Sequence, residues 1–216
     1  MIYLCQGRVI NVSGNQNYSA DMVKKDIFTN IVTENTLYQG FMELIDKPVE
    51  LPYLDSYEIK FEGLDKMTVV VYEKAPVAYF VADSGNVLFD KDGIVLRVQA
   101  EVPEGIPCID GLKAENIKQF EPVALEDGKV FSMLKNLVAQ LEKNELKPDR
   151  ILLNDKNEME VFFGNINVKL GTDASLENKI SRFIAIMPSI EGKSGILYME
   201  DVDEDTDKIS FIKTKQ

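Results

Sequence analysis

The sequence predicts an α+β protein: a small β-α-α-β-β domain followed by a larger, mostly antiparallel β-sheet domain with two packed helices. Three observations lead there. Met67, Val69 and Val71 alternate with Thr68, Val70 and Tyr72, the two-residue period of a strand. Pro76 follows closely and has no N–H to give to a ladder, so that strand ends or changes sheet there. A second apolar run, Val77–Val81, starts at once, and strand signals dominate from that point on. The domains are set at residues 7–75 and 76–216, joined without a flexible hinge.

In the first domain, Gly7–Val12 reads as a strand with Val9 inward and Val12 a second candidate for that face, and Ser13–Asn17 as a turn. Ser19 is an N-cap: its hydroxyl can accept from an orphan N–H of the first helical turn, where Asp21 also suits the dipole. Met22, Val23, Ile27 and Ile31 form an apolar stripe at helical spacing. A second helix is expected from Asn35, with Leu37, Phe41, Leu44 and Ile45 on one face, stopping before Pro48. Tyr57, Ile59 and Phe61 alternate with charged residues as a strand leading through Gly63 into the strand at Met67.

In the second domain, Asp83–Asn86 is a turn between strands at Val77–Val81 and Val87–Phe89, and Asp92-Gly93 precedes a strand at Ile94–Val98. Pro103–Pro107 is irregular. Val130, Phe131, Leu134, Leu137, Val138 and Leu141 give a strongly amphipathic helix, ended by Pro148. Three short antiparallel strands follow over 150–153, 158–163 and 165–170. A last helix carries Leu176, Ile180, Phe183, Ile184 and Met187. Gly195–Val202 and Lys208–Lys213 are final strands around an acidic turn, Asp203–Asp207.

Composition excludes several functions. The 216 residues are 45% hydrophobic, enough for two cores. Twenty-four Lys and Arg against 36 Asp and Glu leave a formal net charge of -12, which repels phosphate backbones and excludes nucleic acid as a partner. There is no histidine, hence no His-based dyad or metal site. Cys5 and Cys108 stand alone and form neither a disulfide framework nor a zinc site. Asp201–Asp207 is a dense carboxylate cluster, but it lacks the ligand order and central glycine of a calcium loop and reads as a solvated hairpin tip. Gly14 and Gly85 sit in turns, outside any phosphate-binding pattern. No catalytic residue, cofactor or metal is expected, and no run reaches the roughly 20 apolar residues of a membrane span.

Several short motifs occur in a telling order. Val12-Ser13-Gly14-Asn15 precedes a helix. Leu51-Pro52-Tyr53-Leu54 is followed by a strand pair ending Tyr72-Glu73-Lys74-Ala75-Pro76-Val77-Ala78. Next come Leu88–Leu96 (LFDKDGIVL), Ile106–Gly111 (IPCIDG) and Val168-Lys169-Leu170-Gly171 with Lys179-Ile180. Together these resemble the FtsQ/DivIB cell-division family, whose extracytoplasmic part is a POTRA domain and a β domain. The resemblance implies a POTRA-like domain over 7–75 and an FtsQ/DivIB-type β domain over 76–216. It also implies a non-catalytic scaffold that binds FtsB/DivIC- and FtsL-type partners outside the membrane, at the division septum. Contact with the membrane would be only through an N-terminal anchor absent from this chain. The rival reading is a POTRA-type chaperone or transport module for extended polypeptides, which tandem repeats would mark; the sequence shows none.

A terminal strand offers unpaired N–H and C=O groups, so the expected partner-binding residues are Tyr198, Ile209, Ser210, Phe211 and Ile212, with lysines at both ends of the strand suiting an acidic partner. Ile209 and Phe211 should share one face, Ser210 and Ile212 the other. Which of Ser210 and Phe211 turns its N–H to the open edge is left undecided by the sequence. Because no linker separates residues 73 and 77, limited proteolysis should leave residues 73–78 intact; clean cutting there into two stable halves would refute a hinge-free joint.

Overall fold

The computed structural model describes residues 9–28, 49–62, 66–125, 128–203 and 208–214. The chain divides into two compact units, Met1–Ala75 and Pro76–Gln216.

In the first unit, β3 (Lys66–Glu73) lies between β1 (Val9–Ser13), which is parallel to it, and β2 (Leu54–Phe61), which is antiparallel. The alternation read from the sequence sends Met67, Val69 and Val71 into the core, with Tyr72 exposed. Helix α1 (Ala20–Phe28) buries Val23 and Ile27. It begins as expected: the Met22 N–H donates to Ser19 Oγ at 3.1 Å. Tyr18 and Tyr53 stack with centroids 4.6 Å apart. The Tyr53 hydroxyl donates to Asp26 at 2.7 Å, and burial together with that carboxylate pushes its pKa up. Val9 is not inward: it is 53% exposed, at the first rung of the ladder opposite exposed Lys66. The second helix expected from Asn35 lies outside the described residues.

Glu73 ends β3 and holds the loop that leads into α1. Its carboxylate accepts the backbone N–H groups of Gln16 (2.8 Å), Asn17 (3.0 Å) and Tyr18 (3.2 Å), and the Asn17 side-chain amide at 2.6 Å. Burial alone would raise its pKa, but these donors together hold it below the usual carboxylate range.

In the second unit nine strands form one sheet, in the order β14-β13-β12-β11-β10-β7-β4-β5-β6. The strands are β4 (Ala78–Ala82), β5 (Gly85–Phe89), β6 (Val95–Gln99), β7 (Cys108–Asp110), β10 (Arg150–Leu153), β11 (Met159–Phe163), β12 (Ile166–Gly171), β13 (Gly195–Tyr198) and β14 (Ser210–Lys213). A two-residue pair, β8 (Ala114–Glu115) with β9 (Ala124–Leu125), stands apart. Antiparallel hairpins dominate, but β4 with β7, β7 with β10, and β12 with β13 run parallel. Parallel neighbours need long crossovers. Helix α2 (Gly128–Lys143) lies in the connection between β7 and β10, and α3 (Leu176–Ile190) in that between β12 and β13.

Both helices bury one stripe in a common core: Leu134, Leu137 and Leu141 of α2, and Leu176, Ile180 and Phe183 of α3, with Phe80, Val87, Ile109, Ile151, Val161, Val168 and Leu197 of the sheet. The intervening strand residues occupy the other face of the sheet, which among the described residues carries no helix of this unit. Asp90, only 3% exposed, shapes the turn before β6 by accepting the N–H groups of Asp92 (2.9 Å) and Ile94 (2.8 Å). Gly93 in that turn has φ +81, and a Cβ there would lie 1.8 Å from the Phe131 ring of α2.

Glu73→Gln should lower the stability of the first unit by about 1–2 kcal/mol, since it weakens several hydrogen bonds to one charged acceptor. The folded-state pKa of Glu73 is depressed, so its contribution is complete above the ordinary glutamate range, about 4, and is lost as pH falls through the lower folded value. Thermal melts of both proteins from neutral to acid pH should show the gap closing below that range; a gap independent of pH would refute the assignment.

Candidate partner-binding edge of the large sheet

β14 is the terminal strand of the nine-stranded sheet, and among the described residues it pairs only with β13. The pairs are Tyr198–Ser210, Leu197–Phe211, Ile196–Ile212 and Gly195–Lys213. The Thr214 N–H donates to the Ser194 C=O at 3.1 Å, which makes 214 and 194 a hydrogen-bonded pair. Antiparallel pairs alternate, so Ile212 and Ser210 also turn their backbone groups toward β13. Phe211 and Lys213 therefore aim their N–H and C=O at the open edge. The other side of β13 agrees: Gly195 and Met199 donate to Asn165 and Lys169 on the β12 side, at 3.1 and 3.0 Å. The question the sequence leaves between Ser210 and Phe211 is thus decided for Phe211.

The expected site residues fall on two faces. Ile209 and Phe211 are partly buried against the core. Ser210 and Ile212 are exposed on the helix-free face, Ile212 at 56%. Tyr198 stands on that same face opposite Ser210, with Lys169 Nζ 5.7 Å from its ring centroid. Lys169 also pairs with Glu160 at 3.1 Å, a hydrogen bond that raises the lysine pKa. Further in, Arg150 stacks 4.0 Å over Phe162 and pairs with Asp110 at 3.0 Å. Cys108 shares this face, and burial, followed by the Asp110 carboxylate, pushes its thiol pKa up, the opposite of an activated nucleophile. Of the acidic turn, residues 204–207 lie outside the described residues, and with them most of the carboxylates weighed for calcium.

Two residues outside the expected set support the edge. Gly195 leaves room for the strand to dock: a Cβ there would lie 2.6 Å from the Phe211 ring and 2.5 Å from the Ile212 carbonyl oxygen. Lys179, 1% exposed, donates to the carbonyls of Leu170 (2.7 Å) and Thr172 (3.0 Å), fixing the end of β12 to the first turn of α3. Burial pushes its pKa down, while Asp173, Glu200 and Asp201 pull it back up. The sequence signal for Gly195 is only a glycine at a strand start. Lys179 appears in the motif series, but nothing in the sequence tells that its ammonium serves backbone carbonyls.

Residues 78–204, more than half of the chain, match the family model described as Cell division protein FtsQ/DivIB, C-terminal. The match starts at the first residue of β4 and stops before β14. The chain is similar to the Cell division protein DivIB of Clostridium tetani, 21% identical over 185 residues that cover 83% of this chain and 69% of the relative. It is similar to the DivIB of Clostridium botulinum (strain Hall), 22% identical over 207 residues, covering 94% of this chain and 80% of the relative. The DivIB of Clostridium acetobutylicum is 21% identical over 193 residues, covering 84% and 73%. No helix among the described residues is long and apolar enough to cross a membrane.

Because Phe211 is only partly buried, Phe211→Ala should cost about 2–3 kcal/mol, below the roughly 3–5 kcal/mol of a fully buried phenylalanine. Denaturant titration of the two proteins measures this; a loss under about 0.5 kcal/mol would mean that the ring is not seated on Gly195.

Proposed function

Since the chain belongs to the FtsQ/DivIB family of cell division proteins, we propose that it is a non-catalytic scaffold of the division machinery whose β14 edge takes up a strand from an FtsB/DivIC-type partner. The observation that carries this reading is the row of backbone donors and acceptors at Phe211 and Lys213, pointing away from β13 at the end of the sheet. A partner strand completes such a row with main-chain hydrogen bonds, while side chains on the two faces supply selectivity. The edge is short, ends in lysine and lies beside an exposed isoleucine. Charge at the edge discourages indiscriminate pairing, and in a chain of net charge -12 the final stretch 208–216 holds three lysines and no acid. That stretch favours an acidic partner segment.

The remainder of the reading concerns placement. The first unit serves as the POTRA-like module, and the protein works on the extracytoplasmic side of the membrane at the septum, held by an anchor preceding the first strand. FtsL-type proteins are the second class of partner in the same assembly.

The decisive measurement is titration of the extracytoplasmic domain of a DivIC-type protein against wild type, Lys213→Pro, Lys213→Gln and a chain truncated after Thr206. Lys213→Pro removes an outward donor without touching the core, and should weaken binding at least about tenfold, as expected for losing ladder hydrogen bonds at a small interface. Lys213→Gln keeps the N–H and isolates the charge. The truncation should abolish binding. Undiminished affinity of both Lys213→Pro and the truncated chain would remove β14 from the interface.

A further inference from the structure

Resting on the edge-pairing reading, we infer that Ile212 and Lys213 form a two-residue code that fixes the register of the incoming strand: a large apolar side chain opposite Ile212 and, next to it in the partner's sequence, an acidic one opposite Lys213. The two residues are consecutive, so they stand on opposite faces of the sheet. Ile212 is 56% exposed on the helix-free face, and its cross-strand neighbour on β13 is Ile196, itself half-buried. The row Ile196–Ile212 is an apolar ladder cut off at the sheet edge, and a third apolar side chain would continue it, as cross-strand neighbours on one face do.

Lys213 stands on the helix side, level with Gly195, which has no side chain to offer it. Its ammonium is exposed at the edge. The next strand outward is the position from which a carboxylate meets it directly. Lys215 extends the positive stretch along the chain, while Lys208 on the other side pairs with Asp201 at 3.5 Å.

The code sets register because side chains alternate. A slip of one residue places the acid against Ile212 and the apolar group on the face of Lys213, so both faces lose at once. It holds for either strand direction: parallel and antiparallel partners alike must use the N–H and C=O of Phe211 and Lys213, and in both cases the residues facing Ile212 and Lys213 are sequence neighbours.

The test titrates the extracytoplasmic domain of a DivIC-type protein against the full chain and its Ile212→Ser, Lys213→Glu and Lys213→Pro variants, with a thermal melt of each. Ile212→Ser and Lys213→Glu should each weaken binding at least about tenfold, as for withdrawing a large apolar contact or reversing a charge at an interface, with the melting temperature unchanged because both side chains are exposed. Acidic residues of the partner's pairing segment are then changed to lysine one at a time. One of these changes should restore binding to Lys213→Glu but not to Ile212→Ser, and its neighbour in sequence should be apolar. Binding of either chain variant within about twofold of wild type, or failure of every charge swap to restore Lys213→Glu, overturns the code. If Lys213→Pro weakens binding in that event, edge pairing stands and only the code falls. If Lys213→Pro also binds normally, both fall.

Discussion

A β-sheet that does not close on itself leaves a row of backbone N–H and C=O groups at each end, and those groups must be matched by the chain, by water or by another protein. The second unit handles its two ends differently. At the start of β6 the chain covers its own edge: the Val95 N–H donates to the Glu121 C=O at 3.0 Å, the Phe120 N–H donates back to the Val95 C=O at 2.7 Å, and Ile94 bridges to Pro122. At β14 no described residue does this. One end is covered over its first residues by a loop from within the unit, and the other keeps its backbone groups turned outward. The functional reading follows from that asymmetry.

The sealed face and the open edge are built from the same alternation. Helices α2 and α3 sit on one face because the parallel pairs they connect require crossovers, and their apolar stripes bury every second residue of the strands beneath. Phe211 takes part in that core and so holds β14 in place, while its own N–H and C=O turn outward. A strand can therefore be anchored by its side chains and remain free along its backbone. Gly195 makes the anchoring possible by standing aside for the ring, and Lys179 secures the end of the neighbouring β12 through two carbonyls.

Much of this could be read from the sequence, for physical reasons that differ by element. The alternation at Met67–Tyr72, the Ser19 cap, the stripe of α2 and the change of sheet at Pro76 all follow from local periodicity or from the chemistry of one residue, and they stand in the structure as read. Strand β7 could not be read, since the three residues Cys108–Asp110 are too few to show a period. The parallel pairings through β7 are set by tertiary packing, which leaves no local trace. Val9 misled because a valine at the first rung of an edge strand has the right propensity but no cover. At the candidate site the faces of Ile209–Ile212 were legible from alternation. The direction of their backbone groups was not, because it depends on the pairing with β13.

The short strand β7 also bears on how the second unit comes together. On one side of it β4, β5 and β6 are successive hairpins, and on the other β10, β11 and β12 form a meander with α3 and β13 following directly. The antiparallel pairings are local in the chain; β12 with β13 closes across α3, and the rung joining Ile109 to Ile151 spans the whole of α2. That rung closes the longest loop among the described strand pairings of the sheet. The unit is topologically two locally assembled halves meeting at a three-residue seam, and the half that carries the β14 edge owes its own pairings to none of the contacts across it.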